Sequence, residues 1–175
     1  MKEKTTAKGK VKVYRLSSDD KLLLLAISKL RSLKSDGFLK NWYQKLIDET
    51  LKNREPVLNS HNLIVDQGLS IYPILLQNQT VPSISIAIGT SSTAAAVTQT
   101  NLGAKVAEDL SPSASASSAT CTIYGIISDS WAGTFYEYGL YIGGYMHSRI
   151  VDAGGITKAT DEPIVIQWTL SYARG

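Results

Sequence analysis

The sequence is poor in the residues from which many catalytic and metal-binding sites are built. Only one of its 175 residues is a cysteine, Cys121, which excludes an internal disulfide and a zinc site made of cysteines. The two histidines, His61 and His147, have no partner histidine one helical turn away, so no metal-binding pattern is present. We therefore expect neither a metal nor another cofactor.

Long apolar runs are also missing. No window of about 18 apolar residues occurs, so the sequence predicts no membrane span. The basic first ten residues are not followed by the apolar core of a signal peptide, and we expect synthesis in the cytosol. Apolar residues make up 43% of the chain and charged residues 19%, which is typical of a globular protein.

Charge is distributed unevenly along the chain. Residues 1–62 contain 14 Lys and Arg against 7 Asp and Glu, whereas residues 63–175 contain 4 against 8. The first part is therefore basic, and the second is weakly acidic and rich in small polar residues. Such asymmetry indicates two different surfaces or two different neighbours. The basic N-terminus is a candidate contact for DNA or for an acidic surface.

The first 61 residues combine a short strand with two helices. Alternation in "GKVKVYRL" predicts a strand over 9–16, within a basic arm at 1–17. Apolar residues at helical spacing predict helices over 21–34 and 38–53. We expect these helices to form a hairpin over 18–61, with an apolar stripe wide enough to require burial.

From residue 62 onward the sequence has the pattern of a β domain. The segment "NLIVDQGLSIYPILLQ" predicts an extended entry that becomes a short helix near Asp66. Alternating or apolar runs between turn residues then predict strands at 83–89, 119–128, 134–143, 145–152 and 162–173.

The polar, small-residue segment 90–103 predicts a loop, and the low complexity of 111–120 predicts a flexible loop or an exposed connection. No alternating β–α pattern occurs, and the turn signals favour hairpins. The sequence thus predicts a mainly β protein, in which an antiparallel β-sandwich of five to seven strands at 62–175 carries the N-terminal helical hairpin.

The search for catalytic patterns leaves one acid to explain. The sequence has no GxSxG motif, and "GTSST" lacks the lysine of a phosphate-binding loop. Glu137 lies in the middle of a predicted strand, and strict alternation places it on one face with Phe135 and Tyr141. We predict a structural acid that holds a loop or meets a cross-strand cation such as Arg149, and we do not expect an enzyme.

Several short motifs resemble, in their order and spacing, a pattern of virion proteins of tailed bacteriophages and related archaeal viruses. The matching segments are "NLIVDQGL" (62–69), "ISIAIGTSST" (84–93), "TNLGAKV" (100–106), "GTFYEYGLYIGG" (133–144) and the closing hairpin at 145–172. "GTSST" lacks the second glycine of that pattern, and the helical segment at 18–55 has no counterpart in it. The resemblance covers about two thirds of the chain, residues 62–172.

This resemblance implies a structural protein of the virion, in the tail or its attachment to the capsid, without catalysis. Its expected partners are copies of itself and other virion proteins. Aromatic residues are enriched at such interfaces, although alternation must place about half of them in the core. The candidate interface residues are Trp42, Trp131, Tyr136, Tyr138, Tyr141 and Tyr145, while Trp168 is predicted to fill the core.

Two other functions are compatible with the sequence. The β domain could bind sugars of a host surface through exposed aromatics such as Trp131 or Tyr136. It could also be a hydrolase that uses Glu137 with a second carboxylate, as glycosidases do. We rank the hydrolase last, because most acids in residues 63–175 fall in predicted turns.

Overall fold

The computed structural model describes residues 5–33, 37–70, 82–117, 119–128 and 130–174. Within these ranges the chain is mainly β, as predicted. The predicted short helix is present at 66–70, and its continuation around Pro73 lies outside the described residues. Among the described helices, none is both long enough and apolar enough to cross a membrane.

Nine strands, two long α-helices and the short helix at 66–70 make up the described structure. The helices are α1 (Lys21–Ser32), preceded by a 3-10 turn at Ser18–Asp20, and α2 (Phe38–Lys52). The strands are β1 (Thr5–Arg15), β2 (Leu58–Ile64), β3 (Ile84–Gly89), β4 (Lys105–Asp109), β5 (Ser113–Ser117), β6 (Thr120–Ile127), β7 (Gly133–Ile142), β8 (Tyr145–Lys158) and β9 (Ile164–Arg174).

All nine strands belong to one antiparallel sheet with the order β4-β3-β7-β8-β2-β1-β9-β6-β5. β2 pairs with β1 on one side and with β8 on the other, and it joins two halves that a sandwich would keep as separate sheets. The antiparallel β prediction is confirmed, and the observed architecture is a single curled sheet.

The curl follows from the connection between β4 and β5. These strands are consecutive in sequence but lie at opposite ends of the sheet. The four residue steps from Asp109 to Ser113 span at most about 14 Å, so the two ends must approach each other. The carboxylate of Asp109 also accepts a hydrogen bond of 2.7 Å from the backbone N–H of Ile126 in β6 and pairs with Arg31 of α1.

Three apolar clusters stabilise this arrangement. The largest fills the inside of the curl, where Trp168 lies fully buried with Ile164, Ile166 and Leu170, as predicted. The second lies between α1, α2 and the outer face of β1, β6 and β9. The third lies on the outer face of the other half and includes Leu102 and Tyr141.

The helices α1 and α2 pack against each other and against the sheet, with Ile27 and Ile47 both fully buried. Arg54, just after α2, forms an ion pair with Asp20 at the start of α1. Because their connection at 34–36 lies outside the described residues, the hairpin remains a prediction.

Some boundaries differ from those predicted. The loop predicted over 111–120 is wrong, because residues 113–117 form β5 and pair with β6. Two strand segments were not predicted from the sequence. These are residues 58–61, the first part of β2, and residues 105–109, which form β4. β1 is longer than predicted and lies between β2 and β9 in the middle of the sheet, so from residue 5 onward the basic segment is a strand of the sheet.

Candidate functional site

Glu137 lies on β7, where a bulge changes the direction of the side chains. The register between β7 and β8 shifts between Phe135 and Glu137. Phe135 therefore joins Tyr138 in the cluster inside the curl, while Glu137 lies beneath the loop that follows β3. The prediction that Phe135 and Glu137 share a face is wrong, because strict alternation assumes a regular ladder, whereas residues 152–155 of β8 intervene between the partners of Glu137 and Phe135.

The structure brings Glu137 and Arg149 together across β7 and β8. The Nε and Nη2 atoms of Arg149 donate to Oε2 of Glu137 at 3.0 and 2.7 Å. Both side chains are fully buried. A buried ion pair is tolerated only when further hydrogen bonds satisfy its remaining donors and acceptors, and the loop between β3 and β4 provides them.

This loop, residues 90–104, is here called the anchor loop. Its backbone N–H groups at Gly103, Ala104 and Ser91 donate to the carboxylate of Glu137 at 2.9, 2.7 and 3.3 Å. The guanidinium of Arg149 donates in turn to the carbonyl oxygens of the loop at Thr93 and Ala94, at 3.0 and 3.3 Å, and to the side chain of Gln99, at 2.6 Å. The pair thus fixes both ends and the middle of the loop.

Tyr141 provides a second attachment for the anchor loop. Its hydroxyl donates to the side chain of Asn101 and accepts a hydrogen bond of 3.1 Å from the N–H of Leu102. Lys105 lies 5.5 Å above its ring. Sequence reasoning did not identify this role, although the Asn-Leu-Gly turn at 101–103 was a visible signal.

Gly89 makes room for the carboxylate of Glu137. A Cβ atom at position 89 would collide with Oε1 of Glu137 and with the carbonyl oxygen of Ala104. The glycine that ends β3 is therefore required by close approach of the anchor loop.

Two of the predicted interface residues are buried within the chain. Tyr138 is fully buried in the central cluster, and burial raises the pKa of its hydroxyl. Tyr141 is 6% exposed and is used by the anchor loop. The rings of both tyrosines are thus covered within the chain, which leaves them almost no surface for a contact with another subunit.

Trp131 and Tyr136 are half-buried. The ring of Trp131 stacks on that of Phe135 with centroids 4.5 Å apart. Tyr136 leans on Gly155, whose φ of +65° is a conformation that favours glycine. Both aromatic rings contribute to packing within the chain, which leaves only part of each surface for a ligand or another subunit.

Trp42 and Tyr145 remain exposed, at 49% and 43%. Trp42 belongs to an apolar surface of α1 and α2, here called the helix face. A hollow of about 520 Å³ between the helices is lined mainly by apolar side chains, with Ala26 and Leu46 among them. The exposed apolar members of the helix face are Leu22, Leu25, Phe38, Leu39 and Trp42.

The other candidate chemical groups do not converge. Within the described part of the chain, no group of three or more His, Cys, Asp or Glu residues could hold a metal ion. His147 is fully buried in β8 and His61 is exposed on β2. Burial raises the pKa of the Cys121 thiol, which makes it a weaker nucleophile at neutral pH.

Comparisons with family models, curated proteins and solved structures found no match to this chain.

Proposed function

We propose that this protein is a structural subunit of a virus particle. In this proposal it associates with copies of itself and with other particle proteins, in the tail or its attachment to the capsid. The proposal rests on the ordered motifs at 62–172. Three of their segments contain Ser91, Gly103 and Glu137, and the closing hairpin contains Arg149. Ser91, Gly103 and Arg149 all donate hydrogen bonds to Glu137, so these four motifs meet in one hydrogen-bond network.

The helix face is the observation that carries the proposed self-association. Phe38 and Leu22 are 81% and 77% exposed, whereas Ile27 and Ile47 on the sheet-facing side of the same helices are fully buried. Full burial of such a side chain contributes roughly 1.5–3 kcal/mol, and contiguous apolar patches of this kind mark interaction sites.

A second copy of the chain is the occupant that we propose for the helix face. The face has both a projection, the ring of Phe38 one turn before Trp42, and an apolar hollow between the helices. In a two-fold symmetric contact the same patch is used on both subunits, so the projecting ring of each copy could insert into the apolar hollow of the other.

We propose no catalytic role for Glu137. Its two oxygens accept hydrogen bonds from three backbone N–H groups and from Arg149, and it is fully buried. A general acid or base must reach the proton that it transfers, whereas this carboxylate is enclosed by the anchor loop.

Self-association is tested by light scattering on the purified full chain over a range of concentrations. We expect a mass above the 19.0 kDa of the monomer. Phe38→Ser should move the distribution toward the monomer by removing the projection, with an unchanged circular dichroism spectrum. Leu110→Ser is the matched control, because Leu110 is 72% exposed but lies in the β4–β5 connection. A monomeric wild type at the highest concentration, or equal effects of both variants, would contradict the helix-face contact.

The assignment to the virion requires a separate measurement. Mass spectrometry of particles purified from cells that produce this chain should detect it in a fixed ratio to the other particle proteins. Its absence from purified particles would overturn the assignment, whatever its oligomeric state.

A further inference from the structure

The outer face of β1 carries three lysines in a row. Lys8, Lys10 and Lys12 alternate with the inward-facing Gly9 and Val11. Lys8 and Lys10 are exposed and Lys12 is half-buried, so the covering helices leave this end of the strand open. The register of β1 with β9 is unbroken over eleven residues, which keeps the three side chains in one row on the same face. This row is here called the lysine strip.

The neighbours of the lysine strip are side chains that donate and accept hydrogen bonds, and none of them is a carboxylate. Lys10 lies opposite His61 on β2 and opposite Thr169 on β9. Among the described residues, none of the three lysines forms an ion pair, and no Asp or Glu occupies the paired positions beside them. The remaining paired positions, on β2, β9 and then β6, are Asn59, Gln167, Ser171, Thr120, Thr122 and Tyr124, the last of which is fully buried beneath the helices.

Three lysines at these positions are not explained by the needs of the fold. Lysine is depleted in strands, and like charges on one face repel each other. Sheets use lysine to protect an edge from pairing with another chain. β1, however, pairs with β9 over its whole length and with β2 over residues 9–13, so at Lys10 and Lys12 neither side of the strand is an open edge. A strip of uncompensated cations on a central strand therefore indicates an external anion.

The spacing and chemistry fit a phosphate backbone. Alternate residues of a strand are about 6.7 Å apart, and a duplex carries one phosphate charge per about 1.7 Å of its axis, so phosphates are dense enough for each lysine to contact one. Hydroxyl and amide side chains beside the lysines are further donors of the kind that contact phosphates. The positions paired with the strip hold no exposed Phe, Tyr or Trp, because Tyr124 is fully buried, so they offer no stacking platform for single-stranded bases.

We propose that the lysine strip binds the backbone of double-stranded nucleic acid without reading its sequence. The middle of a sheet cannot enter a groove, where base edges are recognised. One copy should bind weakly, with a dissociation constant of roughly 10⁻⁴ to 10⁻⁶ M at physiological salt. Copies held together in an assembly would bind one duplex through several strips at once, which increases the overall affinity.

The test is fluorescence anisotropy of a labelled 20-base-pair DNA duplex with the full chain between 50 and 200 mM NaCl. Three phosphate contacts reduce the affinity roughly 40-fold over this range, a slope of about −2.7 in a double-logarithmic plot. The triple variant Lys8→Gln, Lys10→Gln, Lys12→Gln should lower the magnitude of the slope by about 2.7. Its control, Lys21→Gln, Lys29→Gln, Lys52→Gln, changes the net charge equally at exposed positions of the helices.

The inference is supported if only the strip variant lowers the slope and both variants keep the wild-type melting temperature. It is overturned if the wild type does not bind at 50 mM NaCl, or if the two triple variants weaken binding equally. Tighter binding of polyglutamate or of phosphatidylserine vesicles than of the duplex, at equal anion concentration, would also overturn it. Either result would assign the strip to an acidic protein or to a lipid surface.

Discussion

At the scale of single residues, the ion pair of Glu137 with Arg149 can stabilise the fold only because the anchor loop supplies its remaining hydrogen bonds. Taking both charges out of water is costly, and their mutual attraction offsets this cost when every remaining donor and acceptor is satisfied. Three backbone N–H groups and two carbonyl oxygens of the loop do so. The pair therefore holds a 15-residue connection in one conformation without help from regular secondary structure.

Removing one charge of this pair should be severe. We expect Glu137→Gln to lower the free energy of unfolding by about 3–5 kcal/mol, because it leaves Arg149 buried without a counter-charge. Urea denaturation followed by tryptophan fluorescence measures the change. Glu49→Gln makes the same substitution in the exposed pair with Lys45 and should have little effect. If the two variants are equally stable, the pair does not hold the loop.

At the scale of elements, the ends of the sheet meet through a side chain. Asp109, at the end of β4, is 7% exposed and bonds the N–H of Ile126 in a part of β6 that β5 does not cover. Arg31 of α1 supplies the counter-charge. The carboxylate of Asp109 thus connects β4, at one end of the sheet, with β6 near the other end and with α1 of the helical layer.

We expect Asp109→Ala to open this junction locally. The N–H of Ile126 would lose its acceptor, at a cost of about 1–3 kcal/mol for an unsatisfied buried group. Amide hydrogen exchange should become faster at Ile126, while the amides that pair β1 with β9 keep their protection. Uniform acceleration across the sheet would show that the effect is global, and an unchanged rate at Ile126 would show that the contact is unimportant.

The same elements show which parts of the fold local sequence could predict. The helices of residues 21–32 and 38–52 and the strands of the back half have clear periodicity, because one face of each is buried. β5 has no such signal, because "SASAS" alternates serine only with alanine and contains no large apolar side chain. Its strand conformation depends on pairing with β6, which the local sequence does not reveal. The cross-strand partner of Glu137 could be named from the sequence, whereas the anchor loop and the bulge beside Phe135 depend on backbone geometry.

At the scale of the whole molecule, each half of the sheet is covered on its outer face by a different layer. The helices cover one half, and the anchor loop with the helix at 66–70 covers the other. β8 lies under the second layer, where the carbonyl oxygen of His147 accepts a 3.1 Å hydrogen bond from the N–H of Val65. A Cβ atom at Gly68 would collide with this same carbonyl. These contacts fix the backbone at His147, and the residue itself is fully buried.

Enclosure of His147 should make the stability of the whole fold depend on pH. Burial lowers its pKa to about 4 in the folded chain, against about 6.5 for an unperturbed histidine. The unfolded chain therefore binds a proton first as the pH falls, and stability is lost between pH 6.5 and 4. From pH 7 to pH 5 this linkage removes about 2 kcal/mol, before most carboxylates begin to titrate.

Urea denaturation of the wild type, His147→Gln and His61→Gln at pH 7 and pH 5 isolates this contribution. The wild type and His61→Gln should lose about 2 kcal/mol more than His147→Gln over this interval, because His61 is exposed and leaves the buried site intact. Should His147→Gln fail to fold, NMR titration of the His147 ring in the wild type gives the same answer directly, since a folded-state pKa near 6.5 would contradict the enclosure. Equal pH dependence in all three proteins would lead to the same conclusion, because then no buried imidazole links protonation to unfolding.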